Sequence, residues 1–224
     1  MDARKIWTQR QDQLRKALSS KAHFDEAMSL FLSQHAAVHT AQLSGGSAWS
    51  LHDEVLSGLS AEQIKRVHRP GQNSIAWLLW HITRIEDMTI QSLSLEQPQV
   101  WSSAWAVRLG YPLPDCGAGM DESEVAEFSA RISVPTLLEY RAQVGASTRR
   151  LVPGLTAAQA KEVVPTSTVQ TLVDEGSIGL KAGWLFDFYT NRTRSFFLTR
   201  TATSHNFIHL NEAGRVAAKL IGAQ

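Results

Sequence analysis

Two pairs of histidines are spaced so that a helix would bring both imidazoles of a pair to one face. His205 and His209 lie in HNFIH, and His35 and His39 lie in HAAVH. Residues four apart on a helix are neighbours, so both rings of a pair can reach one divalent ion at about 2.0–2.1 Å. A third ligand must then come from another helix. Eight histidines in the chain would give roughly 0.3 such pairs by chance, so the spacing alone is a weak signal. Packing in the core is therefore the alternative for each pair.

Two further residues limit the metal chemistry that the chain can support. His81 follows Trp77 and Trp80 in SIAWLLWHI, and a histidine in such apolar surroundings more often packs in the core than binds a ligand. Cys116 is the only cysteine, which excludes an intrachain disulfide and a CxxC zinc motif. A zinc-like site must therefore use histidines and carboxylates.

The elements that would position these histidines are predicted to be helices. Apolar residues recur mostly at spacings of three and four, and alternating strand patterns are scarce. We expect a short basic helix over residues 3–18 and four long amphipathic segments, which cover residues 21–43, 74–95, 135–151 and 184–222. The last of these has an interruption near Asn191. Residues 98–122, rich in proline and glycine, read as a partly helical crossover, and residues 165–182 read as irregular. Four long helices predict a four-helix bundle, whose interior is a common place for metal sites.

Length and composition narrow the class of protein. The 224 residues predict one domain. Lysine and arginine total 22 against 21 aspartate and glutamate, so the net charge gives no field for nucleic acid. The first twenty residues are too charged for a secretory signal, and no later stretch is apolar enough to span a membrane. We expect a cytoplasmic protein without nucleic-acid or membrane partners.

The segments NSIAWLLWHITRIED and HNFIHLNEA together resemble the DinB-like superfamily, over roughly residues 20–220. The resemblance implies an all-α fold, a metal-binding four-helix bundle with down-up-up-down helix order. Characterised relatives in that superfamily include bacillithiol transferases and the mycothiol-dependent maleylpyruvate isomerase. On this basis residues 1–20 are an N-terminal helical extension and residues 21–224 are the DinB-like domain.

The resemblance also implies a ligand set, one residue on the second bundle helix and an i, i+4 pair on the fourth. These positions correspond to His81, His205 and His209. Three imidazoles leave coordination positions open for water or substrate, as in catalytic rather than closed structural sites. Zn²⁺ and Ni²⁺ both suit imidazole, and Fe²⁺ is a further candidate because selection follows availability as well as affinity.

Other polar residues are assigned supporting roles. His35, His39 and Glu212 are candidates for contacts with the ligands or the substrate, and Glu212 or Asn206 could hold the second nitrogen of a ligand imidazole. Glu86 and Asp87 are assigned to surface or inter-helix salt bridges. No catalytic residue is predicted.

Three functions are compatible with these residues. The resemblance favours a metal-dependent thiol S-transferase or small-molecule hydrolase, in which the thiol is a low-molecular-weight cosubstrate because the chain has only Cys116. The alternative is a non-catalytic stress-response or binding module with a structural metal or none. The helical domain of ergothioneine-forming iron enzymes is ranked last, since that activity needs an additional domain. The resemblance, with Trp101 and Trp105 at positions expected to be exposed, further predicts a homodimer.

Overall fold

Helices form all the major elements of residues 2–222, the part of the chain that the computed structural model describes. Two π-helical turns interrupt them: Asp87–Ser94 continues α5, and Arg200–His205 joins α12 to α13. Residues 2–222 contain no β-strand, which confirms the all-α prediction. In chain order the α-helices are α1 Ala3–Ser19, α2 Phe24–Ala36, α3 Leu51–Leu56, α4 Ala61–Lys65, α5 Ile75–Glu86, α6 Ser103–Leu109, α7 Glu122–Arg131, α8 Val134–Leu151, α9 Ala157–Lys161, α10 Thr166–Asp174, α11 Trp184–Tyr189, α12 Arg194–Thr199 and α13 Asn206–Ile221.

Helices α5 and α8 run parallel at the centre of the bundle. The Arg141 guanidinium donates to the Thr83 hydroxyl at 3.1 Å, and further along both helices the Thr148 hydroxyl donates to Glu86 at 2.9 Å. Residue numbers thus rise together on the two helices. A parallel pair needs a long connection, which the crossover between residues 95 and 133 supplies.

The other two bundle helices are antiparallel to this pair. Thr201 of the second π-helical turn contacts Thr89, and Asn206 of α13 contacts Glu86, so residue numbers rise on one helix as they fall on the other. The same reversal relates α2 to α8, where Arg149 contacts Leu32 and Arg141 contacts Val38 through backbone carbonyls. The order is therefore down-up-up-down, as predicted.

Helix α5 is the central element of the core. Its N-cap is Ser74, whose hydroxyl accepts a hydrogen bond from the Trp77 amide. Every residue from Ile75 to Glu86 is buried, as expected of a helix that is covered on all sides. No described helix is both long and apolar enough to cross a membrane.

A buried ion pair fixes the crossover to α5. Asp87 accepts a hydrogen bond from Arg84 at 2.8 Å and from the backbone amides of Val100 and Trp101 at 2.8 and 2.9 Å. The Arg84 side chain also donates to the Pro114 carbonyl at 2.8 Å. The salt bridge of Asp87 is thus buried and lies within one continuous helical segment. The two residues also attach the crossover, which contacts one of the histidines described below.

Two sequence predictions about local structure were inaccurate. Residues 165–182 were expected to be irregular, but Thr166–Asp174 form α10, in which only Val169 and Leu172 are buried. Two apolar positions give too weak a periodicity to indicate a helix. The first bundle helix was expected to span residues 21–43, but α2 ends at Ala36, and His39 lies in the turn that follows.

The crossover tryptophans are packed rather than exposed. Trp101 and Trp105 are half-buried, and their rings lie 6.0 and 5.3 Å from that of Tyr140. Trp101 also meets Trp80 edge to face at 5.4 Å. The two tryptophans are thus less exposed than expected from the sequence, and the homodimer stays a prediction.

Helix α1 is packed into the bundle. Trp7 belongs to the hydrophobic cluster around α5 and α13, whereas Leu14 belongs to a second cluster with Phe31 and Phe197. The division of the chain at residue 20 stays a prediction.

Candidate metal centre

Three histidines from two antiparallel helices converge at one point of the bundle. His81 comes from α5, His205 from the end of the π-helical turn and His209 from the first turns of α13. One nitrogen of each ring lies within 4.8 Å of the others. The ring centroids are 5.0 Å apart for His81 and His205, 5.1 Å for His81 and His209, and 4.5 Å for His205 and His209. The structure brings together the set that the resemblance implied.

The tautomer of His81 is fixed by its surroundings. Its Nδ1 lies 2.8 Å from the carbonyl oxygen of Cys116, and its ring stacks on Trp77 with centroids 4.8 Å apart. A carbonyl oxygen only accepts, so Nδ1 must carry the proton and Nε2 keeps its lone pair. His81 is therefore oriented and protonated as a metal-binding histidine needs to be.

His209 has the same arrangement with a different acceptor. Its Nδ1 lies 2.9 Å from Oε2 of Glu212, three residues further along α13. The hydrogen bond from His209 lowers the pKa of the Glu212 carboxyl below its usual value. An ionised carboxylate accepts from Nδ1–H, so in the neutral ring, the form that binds metal, Nε2 of His209 carries the lone pair. Glu212 thus contacts the second nitrogen of His209, and its support of a bound ion stays a prediction.

His205 is held by the backbone rather than by a side-chain partner. It ends the π-helical turn Arg200–His205, and such turns within α-helices occur frequently at functional sites. Its Nδ1 is buried and has no hydrogen-bond partner among the described residues. An unpartnered buried ring nitrogen beside two lone-pair nitrogens fits a divalent ion better than a packed core, where polar atoms are normally paired.

Burial keeps two of these rings neutral. Desolvation lowers the pKa of His81 to about 4 and that of His205 well below its usual value. Only the neutral imidazole binds a metal ion. The ligand set is therefore ready to bind at neutral pH without losing protons from these two rings.

The second histidine pair lies in a different cluster, around Glu86. Nε2 of His35 is 2.8 Å from Oε1 of Glu86, and Nε2 of His39 is 2.9 Å from Oε2. The two rings stack with centroids 4.3 Å apart, and all three side chains are buried. His35 and His39 therefore contact Glu86 rather than the three histidines above.

Four donors saturate the Glu86 carboxylate. Besides the two imidazoles, the Thr148 hydroxyl donates to Oε1 at 2.9 Å and the Asn206 amide donates to Oε2 at 3.1 Å. Burial opposes ionisation, but the interactions with His39 and His35 hold the pKa of Glu86 well below its usual value. One carboxylate thus joins α5 to all three other bundle helices or their ends.

A buried arginine balances the charge of Glu86. Arg141 of α8 donates to the Asn206 side-chain oxygen at 2.8 Å, so Asn206 bridges the two charged groups. Desolvation lowers the pKa of His39 to about 3, which leaves that ring neutral. Asn206 therefore does not hold a ligand imidazole, and Glu86 makes inter-helix contacts in the core.

Geometry also distinguishes the two clusters as metal sites. Ligand atoms of His35, His39 and Glu86 also lie within 4.8 Å of one another, but the Nε2 atoms of both rings already donate to the Glu86 carboxylate at 2.8 and 2.9 Å. The nearby Arg141 charge further disfavours a cation. Sequence reasoning missed Arg141, although a charge within the apolar stripe Leu137, Tyr140, Val144 indicates a buried ion pair.

The fold agrees with the comparisons to known proteins. The model of the DinB superfamily matches residues 47–190, more than half of the chain. The chain belongs to the DinB superfamily. Of the three converging histidines, the matched region of this DinB superfamily member contains His81, and His205 and His209 follow it.

Comparison with solved structures supports the fold alone. A crystal structure of a conserved protein from Enterococcus faecalis is similar over 99% of both chains, with a TM-score of 0.54 and 16% sequence identity. Comparison with curated proteins finds no match.

Proposed function

We propose that this DinB superfamily protein is a metal-dependent enzyme whose divalent ion is bound by His81, His205 and His209. The observation that carries the proposal is the orientation of the rings: acceptors at Nδ1 of His81 and of His209 leave both Nε2 atoms free to face the same point. Zn²⁺ and Ni²⁺ suit three imidazoles, and Fe²⁺ is a third candidate.

The reaction class follows from the open ligand set. When bound, a divalent ion with three protein ligands lowers the pKa of a water or thiol and so provides a nucleophile at neutral pH. The chain orients two of the three rings, His81 through the Cys116 carbonyl and His209 through Glu212, and the side of the cluster at His205 and His209 is half-buried rather than sealed. We propose thiol S-transfer or hydrolysis of a small molecule.

The thiol for S-transfer must come from outside the chain. Cys116 is fully buried, and desolvation raises the pKa of its thiol to about 11. A buried neutral thiol is a poor nucleophile. The role of Cys116 in this proposal is its backbone carbonyl, and a low-molecular-weight thiol is the cosubstrate.

Metal content and turnover test the proposal together. Protein purified without a metal-affinity tag is expected to contain about one divalent ion per chain by elemental analysis. A screen of small thiols with electrophilic substrates, and of small esters and amides, is expected to give turnover that a chelator abolishes and the metal restores. Turnover that persists after the ion has been removed would contradict the proposal, and a bound ion without any turnover would favour a non-catalytic module.

A further inference from the structure

Helix α1 lies against the chain segment that carries His205, and its contacts suggest a role beyond packing. We infer that Gln11 of α1 is a positioning residue of the metal centre, because it holds the π-helical turn Arg200–His205 in the conformation that presents His205. The consequence for metal affinity rests on the proposed function. The effect on the turn itself does not.

The Gln11 amide faces the polar groups of the turn. Its Nε2 lies 3.0 Å from the Thr199 carbonyl oxygen, 2.7 Å from the Thr203 hydroxyl and 3.0 Å from the Ser204 hydroxyl. Only 2% of Gln11 is exposed. Water cannot replace these hydrogen bonds without opening the interface between α1 and the turn, so the side chain is specific for this backbone conformation.

The direction of the Gln11 amide is set by its other neighbour. Its Oε1 accepts a hydrogen bond from Nε2 of Gln34 on α2 at 3.2 Å, and the same Gln34 nitrogen donates to the Trp7 carbonyl at 2.8 Å. Because Oε1 is engaged by a donor, the NH₂ group must point at the π-helical turn. Helix α2 thus fixes the side chain that supports the turn.

Two more residues of α1 contact the same segment, one before and one after His205. Arg15 donates to the Ser204 hydroxyl at 3.2 Å. Trp7 stacks on Phe207 with ring centroids 3.8 Å apart and planes within 2°. Helix α1 is therefore attached immediately before and after the histidine.

The π-helical turn sets the rotation of the residues that follow it relative to those that precede it on the fourth bundle helix. Phe197 and Leu198 before it are fully buried in the core, while His205 at its end and His209 after it face His81. One residue more or fewer rotates a helix by about 100°. If the turn returned to α-helical pairing, both histidines could not keep facing His81 while Phe197 and Leu198 stayed buried.

The variant Gln11→Met tests the inference, since methionine is similar in length and cannot donate a hydrogen bond. Arg10→Ala is the matched control on the same helix, because Arg10 donates to the Ser33 hydroxyl of α2 at 3.3 Å and that contact lies away from the turn. Two measurements are made on each metal-free protein: the Co²⁺ dissociation constant with its visible spectrum, and amide hydrogen exchange of residues 199–206.

For Gln11→Met we expect Co²⁺ affinity to fall by about tenfold or more, as for other losses of support around a metal ligand. The visible spectrum should change, and exchange should become faster in residues 199–206. Arg10→Ala should match the wild type in all three. Should Gln11→Met not fold, Ser204→Ala removes one acceptor of the same amide and is expected to change affinity and exchange in the same direction.

A purely structural role gives a different result. Gln11→Met would then lower the thermal midpoint but leave the Co²⁺ constant, spectrum and exchange of residues 199–206 unchanged, and the inference would be wrong. If the wild type binds no Co²⁺, the proposed function fails. Hydrogen exchange still decides in that case whether Gln11 holds the turn.

Discussion

The chain contains two HxxxH pairs, and the fold gives them opposite surroundings. His205 and His209 are half-buried and share a point with His81, whereas His35 and His39 are fully buried and share the carboxylate of Glu86. In the first cluster acceptors outside the site hold Nδ1 of two rings. In the second cluster the acceptor lies between the rings.

The difference shows that the i, i+4 spacing brings two imidazoles close together but does not decide what they bind. What the rings can bind depends on where their lone pairs point, which their hydrogen-bond partners decide. In the second cluster the imidazoles act as donors that stabilise a buried anion, and Arg141 balances its charge through Asn206. In the first, no carboxylate lies among the three rings, so their nitrogen lone pairs are free to bind a cation.

Exchanging one histidine from each pair for alanine should give the largest contrast. His209→Ala is expected to lose most of its bound metal, because the remaining two rings cannot hold a divalent ion tightly. His39→Ala should keep its metal, since His39 contacts Glu86 rather than the ion's ligands. Mass spectrometry of the native proteins measures both occupancies. Full occupancy in His209→Ala, or an empty site in His39→Ala, would reverse the assignment of the two clusters.

Neutralising the Glu86 carboxylate should lower the stability of the protein without changing its metal occupancy. Glu86→Gln is expected to lower the free energy of unfolding by about 3–5 kcal/mol, because it leaves the buried Arg141 charge uncompensated. Urea unfolding of the metal-free protein gives this value. Metal occupancy should stay close to that of the wild type.

A matched surface variant separates this effect from general loss of charge. Glu139 pairs with Arg108 and is half-exposed, so Glu139→Gln should change the free energy of unfolding by less than about 1 kcal/mol. If Glu86→Gln were as stable as Glu139→Gln, Glu86 would not be the charged centre of the second cluster.

Filling the space beside His39 is expected to have the smallest effect on stability. A Cβ on Gly145 would lie 2.6 Å from Nδ1 and 2.8 Å from Cε1 of His39. Gly145→Ala should therefore displace the ring and cost about 1–3 kcal/mol of unfolding free energy, with metal affinity unchanged. Gly154→Ala is the control, because nothing lies within 4 Å of its added Cβ. Equal stability of the two variants, measured in urea, would show that the ring can move away freely.

Much of the helical framework could be read from the sequence because local signals agree with it. Ser74 caps α5 as its position before an apolar run predicts, and the stripe Phe24, Met28, Phe31 is buried. Helix α10 was missed because its two buried residues leave little periodicity. The π-helical turn Arg200–His205 is contacted by residues distant in sequence, such as Gln11 at Thr199, and no local pattern encodes such contacts.

By itself the sequence determined that the protein is an all-α bundle and that two histidine pairs each lie on one side of the chain. Only the tertiary structure decided which pair faces a third histidine and which surrounds a carboxylate. Residue spacing along a helix sets the angle between side chains, but the partner on the facing helix depends on how the helices pack. Glu86 and His81 stand five residues apart on α5, and the packing of α2 against one and α13 against the other gives the two pairs their different chemistry.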